Sequence, residues 1–322
     1  MVFKRLLGSL GMGGPTVDTV LEAGPALPGG ELRGEVRMRG GGTDYEIEQV
    51  ELELVARVEA EHEEGEEHGI VGFARFTVGG GFRLTEEAEE SVPFAVPLPW
   101  ETPLTELHGQ PLGIALGLRT ALHVAGARDQ GDLDPIAVAP LPAQEAVLEA
   151  LGQLGFGFTS ADVELGHIHG TGQQLPFYQE LELAPAPRFA HALHQLEVTF
   201  LAAPGGVEVV LEGDKRSSGL FGGSTDVLHR HVIAHEDVAR RDWVAEVDSW
   251  VSALAEHHAG PGHPVQHGGT HHSGLGAGAV GMGAVGLAAG VAGGLVAAEI
   301  VDEIGDAFED DEAEDGEAGD ED

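Results

Sequence analysis

A chain of 322 residues with 42% hydrophobic content can bury one large core or two ordinary ones. Its formal net charge of −39, from 55 acidic against 16 basic residues, repels phosphate backbones and so argues against a nucleic-acid partner. The absence of cysteine excludes disulfides, thiolate catalysis and Cys-based zinc sites.

The chain opens on a short patch with Lys4 and Arg5 beside Leu6, Leu7 and Leu10. This patch is too short for a secretory signal and reads as an amphipathic cap of a cytosolic protein. Strand patterning follows. Leu32, Gly34, Val36 and Met38 alternate with charged neighbours, and Val50, Leu52, Leu54, Ala56, Val58 and Ala60 alternate with Glu51, Glu53, Arg57, Glu59 and Glu61. A period of two marks half-buried strands. Ala74, Phe76 and Val78 repeat it, with Phe73, Arg75 and Thr77 facing away. Gly-rich breaks at 28–30, 40–42 and 79–81 supply turns, and Pro93, Pro97, Pro99 and Pro103 mark an edge strand and its exit. A strand over 112–124 completes the first β region.

Asp132-Leu133-Asp134-Pro135 opens a link, and 143–154 shows Val147, Leu148, Leu151 and Leu154 at helical spacing, with Gly152 and Gly155 near its end. A second β region offers strands at 161–167, 175–183, 196–201, 207–212 and 227–235. A helix over 242–257 carries Trp243, Val247, Trp250, Val251 and Leu254 on one stripe and closes the body. The expected fold is all-β, with two antiparallel sandwiches, a connecting helix and a C-terminal helix. Domains are expected at 1–130 and 156–258, joined by a linker and helix at 131–155. Beyond them lie a His/Gly-rich linker at 259–273, an uncharged Gly/Ala-rich segment at 274–300 and an acidic disordered tail at 301–322.

Several strings are familiar in this order: Val17-Asp18-Thr19-Val20-Leu21, Pro28-Gly29-Gly30-Glu31-Leu32-Arg33-Gly34-Glu35-Val36, Asp132-Leu133-Asp134-Pro135-Ile136, Pro176-Phe177-Tyr178-Gln179-Glu180-Leu181-Glu182 and Leu211-Glu212-Gly213-Asp214-Lys215-Arg216. Together they resemble the bacterial stage-zero sporulation M proteins, a sporulation-control family, over roughly residues 1–256. The resemblance implies two arrestin-like lobes and a cytosolic regulator of sporulation that works through protein contacts. It brings no catalytic residue and no cofactor.

Three sets of residues are candidates for function. Phe177, Tyr178, Gln179, Glu180 and Glu182 form a possible partner-recognition strand, with a structural signature as the rival reading. His229, His231 and His235 form His-x-His-x-x-x-His, which on one strand face can chelate a metal given a further ligand. Gly286, Gly290 and Gly294 repeat every four residues in the uncharged run, a spacing that lets helices approach closely. That run is open to three readings: self-association or docking, disorder, or a membrane span. The tail histidines, His257, His258, His263, His267, His271 and His272, read as a hydrated linker with loose metal affinity. No Gly-x-Ser-x-Gly elbow is present, and the Gly-rich stretch at 219–224 lacks the lysine and helix of a phosphate loop. The expected protein is a non-enzymatic scaffold with unidentified protein partners. A metal-responsive protein and a membrane-tethered adaptor stand as alternatives.

Overall fold

The structure is a computed structural model that describes residues 13–62, 65–214 and 229–258. The amphipathic N-terminal patch, Lys215 and Arg216, and everything from Ala259 onward, including Gly286, Gly290 and Gly294, lie outside the described residues.

Two strands, β1 (Thr16–Leu21) and β2 (Glu31–Arg39), lead to the long β3 (Tyr45–His62), which pairs antiparallel with β4 (Gly65–Gly79). Next come β5 (Phe82–Leu84), β6 (Glu89–Pro97), the small hairpin β7 (Glu106–Leu107) and β8 (Gln110–Pro111), β9 (Leu116–Val124) and β10 (Gln130–Pro135). Helix α1 (Pro142–Leu154) separates these from β11 (Gly157–Leu165), β12 (Phe177–Ala184), β13 (Gln195–Ala203), β14 (Gly206–Asp214) and β15 (His229–Ala234). A 3-10 turn, His235–Arg240, precedes α2 (Trp243–His258).

The strands form a small sheet in the order β1-β2-β6 and a large one in the order β10-β9-β3-β11-β12-β13-β14-β15. β4 and β5 pair with β3 off that path, and β7-β8 stands apart. The fold is all-β and sandwich-like with few helices, in agreement with the sequence patterning. The edge position expected from the prolines also holds: β6 ends the small sheet, with Pro93 opposite Glu35 and Pro97 opposite Glu31.

The alternation read in β3 is the alternation of burial. Val50, Leu52, Leu54 and Ala56 are fully buried, while Glu53 on the other face lies between Arg75 of β4 and Arg119 of β9 at 2.6 and 2.9 Å. The β3–β4 register shifts at two places, between Val50 and Glu51 and between Leu54 and Val55, and burial stops alternating at the second. Leu54 pairs with Ala74 but Val55 pairs with Gly72, so Phe73 is the extra residue of a bulge. Val55 is buried there along with its neighbours, and the Phe73 ring packs edge-on against Phe177 at 5.4 Å. The expectation that Phe73 faces away from the core is therefore corrected.

Two further corrections concern boundaries. Asp132-Leu133-Asp134-Pro135 is the body of β10, paired residue for residue with β9, and the connection begins only after it. The stretch expected as one strand over 112–124 starts at Leu116, preceded by the β7-β8 hairpin. Helix α1 fits its reading closely. Pro142 occupies its first turn, and the Gln144 side chain accepts a hydrogen bond from Leu141 N at 2.8 Å. Gly155 closes it at φ 96, the left-handed conformation that glycine adopts without a Cβ clash. Ala143, Val147, Ala150 and Leu151 bury its inner face.

Gly34 shows how tightly the small sheet is packed. A Cβ placed there would stand 2.5 Å from the Val20 carbonyl oxygen and 2.8 Å from the Phe94 ring. The backbone oxygen cannot move without disturbing the β1–β2 ladder. Gly34→Ala is expected to destabilise the protein by about 1–3 kcal/mol, measured as a lower urea midpoint at unchanged m-value.

Candidate interaction surface

The candidate recognition strand β12 is an interior strand, paired with β11 on one side and β13 on the other. Both of its backbone edges are occupied, so it cannot accept an added strand. Its side chains divide by period two. Phe177, Gln179, Leu181 and Leu183 point into the core, and Tyr178, Glu180 and Glu182 lie on the outer face, half-buried.

The inward residues hold the second β region to the first. Gln179 donates from Nε2 to the Leu104 carbonyl at 2.9 Å and accepts from Leu104 N at 2.8 Å, satisfying both backbone groups of a buried loop residue. Nearby, the Glu101 carboxylate accepts from Gln174 N and Leu175 N at 2.7 and 2.8 Å. The Trp100 ring stacks on His235 at 5.4 Å, and β11 touches β3 in parallel at Glu164 and Glu59. Gln179→Leu leaves Leu104 N and O without partners in a dry site. We expect it to cost about 1–3 kcal/mol by urea denaturation, more than Glu182→Gln on the outer face of the same strand.

On the outer face, Tyr178, Glu180, Glu197, Thr199 and Glu212 line a shallow cavity of about 290 Å³, together with Ile168 and His169. Register puts Glu197 of β13 beside Glu182 and Glu212, so carboxylates occupy three successive strands. Burial pushes the Glu180 carboxyl up to about 8, with the surrounding Glu197, Glu164, Glu212 and Glu182 charges adding to it. Glu180 is therefore mostly protonated at neutral pH and can donate a hydrogen bond.

A second carboxylate group lies between β1 and β10. Asp132 Oδ2 accepts from Thr19 N at 2.7 Å, and the Thr19 and Thr120 hydroxyls meet at 2.6 Å. Asp134 is pushed up to about 8 by burial first, then by Asp132 and Asp18, and its Oδ2 is buried with no hydrogen-bond partner among the described residues. Sequence reading missed this pair because Asp-Leu-Asp-Pro has the composition of a turn. The available signal was the two-residue spacing of Asp132 and Asp134, which puts them on one strand face.

The histidine set divides. His229 and His231 share the β15 face turned to α2, where His231 stacks on Trp250 at 4.2 Å and His229 meets His257 edge-on at 5.8 Å. His235 begins the 3-10 turn, and its Nε2 lies 2.9 Å from the Ala203 carbonyl, so the three rings do not share one face as expected. Burial lowers His231 to about 4, with a further contribution from His229. His229 is lowered by burial and by His257.

These shifts act in opposite directions on stability. Asp134 and Glu180 hold protons in the folded state up to about pH 8, which an unfolded carboxyl releases near pH ~4. Their contribution is complete below the unfolded value and is lost as pH rises through about 8. His231 stays neutral down to about 4, so its contribution is present above the unfolded value of ~6.5 and is lost as pH falls. Because the two carboxyls outweigh the one imidazole, thermal melts are expected to show stability falling as pH rises from about 4 to about 8, more steeply above about 6.5 where His231 no longer opposes them. Asp134→Asn should reduce that slope across the whole window, and His231→Phe, which keeps a ring on Trp250, should steepen it below about pH 6.5.

The comparisons with known proteins agree with this fold. These strands and the contacts between them define a β-sandwich protein with carboxylates on the outer face of its second β region, which is clamped to the first. The family model described as Spo0M, SpoOM protein, matches residues 3–217, and the chain belongs to that family. The sporulation-control protein spo0M of Bacillus subtilis (strain 168) is 34% identical over 221 residues, covering 68% of this chain and 83% of its own length. The crystal structure of Spo0M from Bacillus subtilis superposes with a TM-score of 0.66 at 29% identity, over 76% of this chain and 99% of that one. Among the described residues, no helix is long and apolar enough to cross a membrane.

Proposed function

We propose that this chain is a non-enzymatic regulatory scaffold in sporulation or developmental control, acting by protein contacts through the outer face of its second β region. The supporting observation is the family match over residues 3–217, which includes β12 and the strands beside it. The relative in Bacillus subtilis is named for sporulation control, and its name carries no catalytic activity. On this chain, Phe177 and Gln179 serve as internal anchors, and Tyr178, Glu180 and Glu182 form the contact face.

The chemistry of that face favours a partner segment bearing lysine, arginine or hydroxyl groups. Carboxylates on β12, β13 and β14 attract cations, and Tyr178 adds an apolar body with a polar tip. A mixed site of this kind binds with an on-rate that falls as salt rises.

The test is quantitative co-purification of the tagged full chain from native cytosol, beside Tyr178→Ala and Glu180→Gln. Both substitutions lie on the outer face and should leave the melting temperature within a few degrees. The expected result is a defined set of proteins whose recovery falls about tenfold in Tyr178→Ala, a loss of roughly 1.4 kcal/mol. Recovery that is equal across all three chains moves recognition off this face. Turnover of a small molecule by the purified chain would overturn the scaffold reading itself.

A further inference from the structure

The tip of the β7-β8 hairpin stands over the exposed flank of α1, and three potential ligands meet there. His108 Nδ1 is 3.4 Å from Glu145 Oε1, and its Nε2 is 3.9 Å from Glu149 Oε1. One ligand atom from each residue lies within 4.8 Å of the other two, and among the described residues this is the one such trio. We propose that His108, Glu145 and Glu149 form a surface site for a divalent transition-metal ion of the zinc type.

Distance separates this arrangement from a charge-assisted hydrogen bond. A charge-assisted hydrogen bond brings nitrogen and oxygen to about 2.7–2.9 Å, closer than either carboxylate comes to the ring. Two ligands held tetrahedrally about 2.05 Å from one ion stand about 3.3 Å apart. The His108–Glu145 separation of 3.4 Å matches that spacing. Glu149 approaches the opposite ring nitrogen, so reaching an ion on Nδ1 requires a change of rotamer, for which its 51% exposed side chain has room.

Both supports are rigid. Glu145 and Glu149 are one helical turn apart on α1, whose opposite face is buried through Val147, Ala150 and Leu151. The hairpin is fixed at its base: Thr105 N donates to Val138 O at 3.0 Å, Val138 N donates to Thr105 Oγ1 at 2.8 Å, and Leu112 N donates to Thr105 O at 2.9 Å. Its turn is His108-Gly109, with φ 52 and 74, the left-handed region that glycine, asparagine, aspartate and histidine tolerate best. The ligand set chooses the metal. An imidazole nitrogen with two carboxylates suits zinc, cobalt or nickel, whereas magnesium and calcium favour all-oxygen shells. The two carboxylates balance a divalent charge, and the ion removes the repulsion between like charges a turn apart. Water completes the shell, because all three groups open to solvent.

A bound ion would staple the hairpin to the helix that connects the two β regions. This site uses none of the residues of the proposed contact face and stands or falls apart from it.

The test is hydrogen exchange read by mass spectrometry on the full chain, with zinc chloride alone as the probe. At zinc tenfold above its dissociation constant, exchange in peptides covering 105–112 and 142–150 should slow about tenfold. His108→Asn, which keeps the positive-φ turn, and Glu149→Gln should each abolish that protection while leaving exchange without zinc unchanged. Loose chelation by the tail histidines would be insensitive to both substitutions and would not protect these peptides. Absence of protection at millimolar zinc, protection that persists in both variants, or equal protection by magnesium would each overturn the proposal.

Discussion

The two-residue period of β3 is the constraint on which the rest of the architecture depends. Its inward side chains build the core of the first sandwich, and its backbone gives β4, β5 and β9 their register. Its far end touches β11, so the large sheet runs through both β regions. A slip of one residue would exchange Leu52 and Leu54 for Glu51 and Glu53 in the core. The charged face resists that slip as well, since Glu53 sits between Arg75 and Arg119 and would be buried without them.

Cohesion between the two β regions comes from polar contacts rather than area alone. Gln179 supplies Leu104 with both a donor and an acceptor, so the loop after β6 can be buried without orphaned backbone groups. On the approach to β12, the Glu101 carboxylate accepts from the backbone N–H groups of Gln174 and Leu175. The Phe73 bulge adds an aromatic contact to Phe177 at the same seam. Phe177 and Gln179 therefore explain why part of the Pro-Phe-Tyr-Gln-Glu string is structural, while Tyr178, Glu180 and Glu182 lie on the outer face.

The sequence displayed what is local and periodic. β2, β3, β13, β14, α1 and α2 were legible because burial alternates at the period of each element. β10 was not, because two aspartates and a proline have the composition of a turn, and only their pairing with Thr120 and Leu118 makes them a strand. The histidine motif misled for a related reason. Spacing in sequence assumed one continuous strand, but β15 ends at Ala234 and His235 turns toward Ala203. His108 escaped notice altogether, since its neighbours Glu145 and Glu149 are close in space and distant in sequence.

Acidity plays different roles at different depths. Carboxylates at the surface give solubility and discourage anionic partners, an effect that depends on net charge and not on position. Asp134 and Glu180 are different, because burial and like charges hold protons on them near neutral pH. A protonated carboxyl is a hydrogen-bond donor placed among carboxylates that only accept. The face around Glu180 accordingly carries two chemistries: a neutral donor on β12 and charged acceptors on the adjoining strands. A lysine-bearing segment that reached this cavity would favour the ionised form of Glu180 and displace its proton. Binding would then be coupled to proton release, which makes affinity rise with pH through the range in which this carboxyl titrates.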